Sequence, residues 1–180
     1  RSLNTFMNAF TSYDWTAYPF ASQNRKDFNN LLDVYLDAVF FSRLDKLDFA
    51  QEGHRIEFKD PENIDSELIF KGVVFNEMKG AMGSITSTIW QILCKHLYPT
   101  TTYRFNSGGD PACIPDLTHE QLIEFYRTHY HPSNAIFMTF GDIPADELQE
   151  RFQNQVLCKF NASEERISVP YEKRFLKPIA

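Results

Sequence analysis

The sequence predicts an α+β fold in which an antiparallel-rich sheet carries helices packed on it. Three observations lead there. Two short alternating segments meet at a tight polar turn near the N-terminus. Long apolar stretches at helical spacing follow, and strands and helices then succeed one another without the regular alternation of a doubly wound sheet. The 180 residues are 43% hydrophobic and 23% charged, and 17 Phe with 8 Tyr supply large side chains for a core. Disorder is excluded on that balance.

Taken in order, residues 5–11 and 15–21 read as two strands of a hairpin joined at Ser12-Tyr13-Asp14, with Phe6, Asn8 and Phe10 on one face. Pro19 donates nothing to a ladder and belongs at a strand end or exposed edge. Asn24 followed by Asp27 is an N-cap signal, and Phe28, Leu31, Leu32, Tyr35, Leu36, Val39 and Phe40 recur at helical spacing. Opposite them lie Asn29, Asn30, Asp33 and Asp37, so this helix is expected to lie across a sheet with one face wet. A strand is expected over residues 54–58, and Asp60-Pro61-Glu62-Asn63 is turn chemistry.

From Leu68 to Leu97 the spacing is helical again, with a break expected near Gly80 and Gly83. Residues 100–115 read as a long ordered loop containing Asn106-Ser107-Gly108-Gly109-Asp110-Pro111. Thr118 with Gln121 is a capping box that opens a third helix, ended by Pro132. Residues 135–140 read as a short buried strand, and Pro144 opens a fourth helix over Leu148, Phe152 and Val156. The domain is expected over residues 1–160, and residues 161–180 form an irregular connecting tail that leads away from it.

Several function classes are excluded by composition. The formal charge is −6, and without a Lys/Arg cluster nucleic acid is not an expected partner. No apolar run reaches the roughly 20 residues that span a bilayer, so no membrane partner is expected either. Cys94, Cys113 and Cys158 are odd in number and widely spaced, which suits a reducing compartment rather than a disulfide framework.

Glu77 lies in Phe70-Lys71-Gly72-Val73-Val74-Phe75-Asn76-Glu77-Met78, a carboxylate flanked by apolar residues. On the residues alone it is a structural carboxylate first, and a metal ligand or general base second. His129-Tyr130-His131 would share a metal only on a strand; at a helix end the two rings face apart, and a helix-terminus contact for His131 is the plainer reading. No Ser-His-Asp or Cys-His order stands out, and Gly108-Gly109 lack the lysine of a phosphate-binding loop.

Five ordered segments together carry a resemblance. They are Ser2-Leu3-Asn4-Thr5-Phe6-Met7-Asn8-Ala9-Phe10-Thr11, Asp33-Val34-Tyr35-Leu36-Asp37-Ala38, Gly72-Val73-Val74-Phe75-Asn76-Glu77-Met78-Lys79-Gly80, Ser107-Gly108-Gly109-Asp110-Pro111 and Tyr130-His131-Pro132-Ser133-Asn134-Ala135. The chain resembles the presequence-protease branch of the pitrilysin-class (M16) zinc metallopeptidases. That resemblance implies an N-terminally truncated pitrilysin-like domain. It also implies that Glu77 is the third zinc ligand, beside the two histidines of a His-x-x-Glu-His helix.

No His-x-x-Glu-His occurs in these 180 residues, so no catalytic residue is assigned in the chain. The motif is expected just upstream of Arg1, and the chain alone is expected to be inactive and to bind no zinc tightly. Asn8, Ala9, Phe10 and Thr11 look like the family's edge strand, which pairs with extended, unstructured peptide substrates. The residues alone favour an ordinary hairpin strand. The expected partners are such peptides and the rest of the chain's own polypeptide, in a bacterial cytoplasm or mitochondrial matrix. The rival readings are a non-catalytic pitrilysin-like scaffold and a self-contained peptide-binding module.

Overall fold

The structure, a computed structural model, describes residues 5–178. The Ser2-Leu3-Asn4 portion of the first motif lies outside the described residues. The fold is α+β, and every strand pairing is antiparallel. The described residues divide between two units. One takes those within Arg1–Ala9, Tyr18–Arg43 and Glu120–Ser168, and the other those within Phe10–Ala17, Leu44–His119 and Val169–Ala180.

In the first unit, β1 (Phe6–Met7) pairs with β4 (Phe20–Ala21), and the Asn8 N–H extends the pairing to the Pro19 carbonyl at 3.1 Å. Helix α1 (Arg25–Phe40) starts where the cap signal places it, with the Asn24 side chain accepting from the Asp27 N–H at 3.0 Å. That bond satisfies one of the donors every helix start leaves unpaired. Leu32, Leu36 and Phe40 are buried, as the spacing predicts.

This apolar face meets the strands as expected through Phe20 of β4, whose ring lies 5.2 Å from Phe28 and 4.9 Å from Tyr35 between centroids. It also packs on a helix that was not expected there, α6 (Ala145–Gln155), whose Leu148 and Phe152, with Val156 just beyond, complete the buried cluster. The face opposite is not simply wet, because Arg151 of α6 donates to the Asn29 side chain at 2.7 Å and is ion-paired with Asp33. Two neighbouring helices with complementary apolar stripes bury each other as readily as a helix and a sheet do. Pro144 is the residue just before α6 rather than a position within it.

Residues 135–140 form no strand. Phe137 packs against Phe40 and Phe152, whereas Ile136, Met138 and Phe140 are 93%, 90% and 104% exposed. The apolar run has strand composition, but none of the described strands pairs with it. Helix α5 (His119–His129) follows the predicted cap, and its Tyr126 hydroxyl donates to the Val39 carbonyl at 2.8 Å, tying it to the end of α1.

In the second unit, β2 (Phe10–Thr11) pairs with β3 (Thr16–Ala17). β5 (Arg55–Phe58) pairs with β6 (Leu68–Lys71). Leu68–Lys71, expected to be helical, is a strand whose successive side chains alternate between exposed and half-buried, and Gly72 separates it from the helix proper. A short helix α2 (Lys46–Glu52) has no counterpart in the periodicity. Helices α3 (Val73–Ala81) and α4 (Ile85–Leu97) are separated over residues 82–84, at the expected glycine break.

Residues 161–178 have no helix or strand. They nevertheless do not simply lead away, because the Glu172 carboxylate accepts from the Thr100 N–H at 3.0 Å and the Thr101 hydroxyl at 3.2 Å.

Candidate metal-ligand helix and strand edge

Glu77 sits midway along α3, a nine-residue helix whose start is set by close packing. An added Cβ at Gly72 would lie 2.1 Å from the Gly53 carbonyl oxygen, so only glycine admits this approach. Its φ of 168° is extended backbone open to any residue, and the requirement is one of space. Phe75 is buried and contacts Phe70 of β6 with ring centroids 6.1 Å apart. β6 is in turn joined to β5 by Glu57, which receives Lys71 at 2.6 Å and Arg55 at 2.7 Å. Those two cations hold the Glu57 carboxyl below its ordinary range, the Lys71 bond contributing most.

With Phe75 turned inward, Glu77 is exposed, and its carboxylate enters no hydrogen bond or ion pair among the described residues. An unpartnered carboxylate oxygen is a suitable donor to zinc. It is one donor, however, and among the described residues no group of three His, Cys, Asp or Glu is arranged to hold a metal. A catalytic zinc takes three protein ligands and an open position, so these residues do not by themselves make such a centre. A cleft of about 560 Å³ opens on the neighbouring side of α3, where Asn76 and Lys79 face Lys59, Glu67 and Lys71. Glu77 does not line it.

His129 and His131 are occupied separately. The His129 ring stacks on Phe125 with centroids 4.0 Å apart, and its Nδ1 lies 3.0 Å from the Phe125 carbonyl oxygen. His131 Nδ1 accepts from the Ser133 N–H at 3.1 Å, capping a 3-10 turn at Pro132–Asn134. His54 and His119 each bond a backbone carbonyl, of Leu117 and Leu44.

Asn8, Ala9, Phe10 and Thr11 are all exposed. Asn8 and Ala9 fall in the first unit; Phe10, Thr11 and Glu77 fall in the second. Phe10 and Thr11 use one edge toward Ala17 and Thr16, and no other described strand pairs with β2. Because the Ser12 N–H points across to the Trp15 carbonyl, backbone alternation turns that of Thr11 to the outer edge of β2. The Asn8 side chain accepts from the Ala9 N–H at 2.8 Å, giving that donor a local partner.

Two polar arrangements escaped the sequence reading. Tyr18 and Tyr130 share a hydroxyl contact of 2.5 Å, and burial together with that bond pushes the Tyr18 hydroxyl up. At Glu172 desolvation pushes the carboxyl up, yet bonds from the Thr100 hydroxyl and N–H, the Lys173 N–H and the Thr101 hydroxyl outweigh it and hold it at about 2. Neither leaves a local signal, since the partners lie 112 and 72 residues apart.

Residues 116–179 match the family described as Peptidase M16 inactive domain. With the mitochondrial presequence protease of Xenopus laevis the chain is 54% identical over 178 residues, 99% of this chain and 17% of that protein. The Mus musculus protein of the same name is 52% identical over the same span, and that of Schizosaccharomyces pombe 52% over 147 residues. Residues 116–179 thus resemble M16 peptidase sequence, and nearly the whole chain is similar to presequence proteases. The chain spans about a sixth of the length of these relatives.

Proposed function

We propose that the chain is part of a zinc-dependent metalloendopeptidase that degrades short unstructured peptides, as its relatives' name suggests, in the mitochondrial matrix. Residues 1–160 are the contributing part of a peptidase domain and 161–180 a connecting segment. In this reading Glu77 is the third zinc ligand, and Asn8, Ala9, Phe10 and Thr11 form the edge along which a substrate strand lies. The observation that carries it is the exposed, unpartnered Glu77 carboxylate on α3, in a chain 54% identical to a presequence protease.

Zinc bound in the parent would supply Lewis-acid chemistry and an activated water. What this chain supplies is one oxygen donor and, at Thr11, outward backbone groups that can pair with a peptide of almost any sequence. Having one donor, the chain alone is inactive and holds no zinc tightly. The test is the Glu77→Gln variant of the full-length protein. It should lose zinc affinity by at least about tenfold, since even outer partners of a metal ligand contribute that much, and peptide cleavage should fall with it. Unchanged zinc content would overturn the assignment.

A further inference from the structure

Ala135-Ile136-Phe137-Met138-Thr139-Phe140 has no part in the function proposed above, yet neither its backbone nor its outer face is satisfied in the first unit. The segment has the usual length of a strand, about 5–6 residues. It starts extended, with Ala135 at φ −118° and ψ 151°. The Ala135 N–H reaches the Pro132 carbonyl at 3.1 Å, and beyond it the N–H and C=O groups of Ile136 to Phe140 enter no hydrogen bond among the described residues. Such a row of unpaired backbone groups is a template for another strand, and native edge strands are blunted against that by charges or proline. This segment contains neither.

Phe137 fixes the segment's orientation. Its ring stacks on Phe40 of α1 with centroids 5.7 Å apart and lies 4.6 Å from Phe152 of α6. In extended backbone the side chains on either side of an inward one point the other way, and Ile136, Met138 and Phe140 are each 90% exposed or more. A strand apolar on both faces is the pattern of a sheet interior. An apolar small molecule or a lipid would cover those side chains and leave the backbone groups unpaired, and a helix spends its own backbone groups internally. Only further strands pair the backbone and complete the sheet.

We infer that residues 135–140 are an interior sheet strand of the longer polypeptide, and that strands from outside residues 1–180 of the same molecule pair with both of its edges. The chain covers 17% of the presequence protease with which it is 54% identical, so most of such a polypeptide lies outside it. A tethered strand acts at an effective concentration on the order of millimolar when its linker is short, which outcompetes a second copy present at micromolar concentration. This inference rests on the chain being part of that longer polypeptide, and it is independent of the metal role of Glu77.

The test uses the full-length protein with photo-methionine in place of methionine, a near-isosteric residue that on irradiation links to whatever touches it. A link from position 138 to a peptide outside residues 1–180 of the same molecule is expected, and mixing isotopically light and heavy protein separates links within a molecule from links between copies. A link to a second copy, a link confined to residues 1–180, or reaction with water alone would each overturn the inference. Amide exchange in the unlabelled full-length protein reads the pairing itself, and the amides of Ile136 to Phe140 should all exchange at least about a hundredfold more slowly than their intrinsic rates. Protection at alternate residues alone is the pattern of an edge strand, and exchange at the intrinsic rate is that of cover without pairing; either result overturns the interior strand. If Glu77→Gln leaves zinc unchanged while the link and the protection are found, the ligand assignment fails and the strand stands.

Discussion

At the scale of single residues, the strictest demands fall on glycines that flank α3. Gly72→Ala would drive a methyl group into the Gly53 carbonyl, a backbone atom that cannot swing aside as a side chain can. Overpacking of this kind costs about 1–3 kcal/mol, and the thermal midpoint of the Gly72→Ala protein should fall accordingly. An unchanged midpoint would mean that the approach is looser than the structure has it. Glu77 illustrates the limit of reading residues singly. Its apolar neighbours are compatible with a structural carboxylate, and only the five-segment resemblance points to a metal. The exposure and lack of partners that distinguish it in the structure depend on Phe75 turning inward, which the spacing of one short helix does not determine.

Among the elements, α1 was legible because its signals agree: cap residue, first-turn acid and a seven-residue apolar face all mark the same helix. Asn24→Ala should cost about 1 kcal/mol in denaturation, the usual value for a lost side-chain cap. β6 was misread because Leu68-Ile69-Phe70 runs into the apolar positions of α3 and offers no polar alternation to break the helical period. Residues 135–140 were misread for the opposite reason: their composition suits a strand, but pairing needs a neighbour that is not among the described residues. α2 is short, and its Leu47 is 82% exposed, so no apolar stripe announced it.

The tail is tied down by an element-scale contact with a definite pH signature. The Glu172 carboxyl is lowered from an ordinary 4.5 to about 2, so over that interval the unfolded chain binds the extra proton. The contact therefore stabilises fully above about pH 4.5 and is lost as pH falls toward 2. The protection of the Thr100 amide, its exchange measured against the intrinsic rate at each pH, should fall on acidification through that window, and Glu172→Gln should remove that fall. Low protection at Thr100 at every pH would contradict the contact.

For the chain as a whole, apolar exposure is large for its length. Among the described residues nine apolar side chains are buried, whereas Ile89, Trp90 and Ile92 of α4 and Ile56 and Leu68 of the β5–β6 pair are each more than half exposed. Monomeric proteins rarely leave so much uncovered, and the chain amounts to 17% of the relatives it matches. The isolated 180-residue chain should therefore enhance the fluorescence of an apolar dye and self-associate at micromolar concentration. A monodisperse chain that unfolds cooperatively and ignores the dye would show that these faces need no cover.

Glu77 is proposed to hold zinc in the full-length protein. Anomalous diffraction at the zinc edge from crystals of the full-length protein tests it most directly. A zinc peak is expected about 2.0–2.2 Å from a Glu77 carboxylate oxygen, the ordinary zinc–carboxylate distance. A fully occupied zinc coordinated without Glu77 would contradict it.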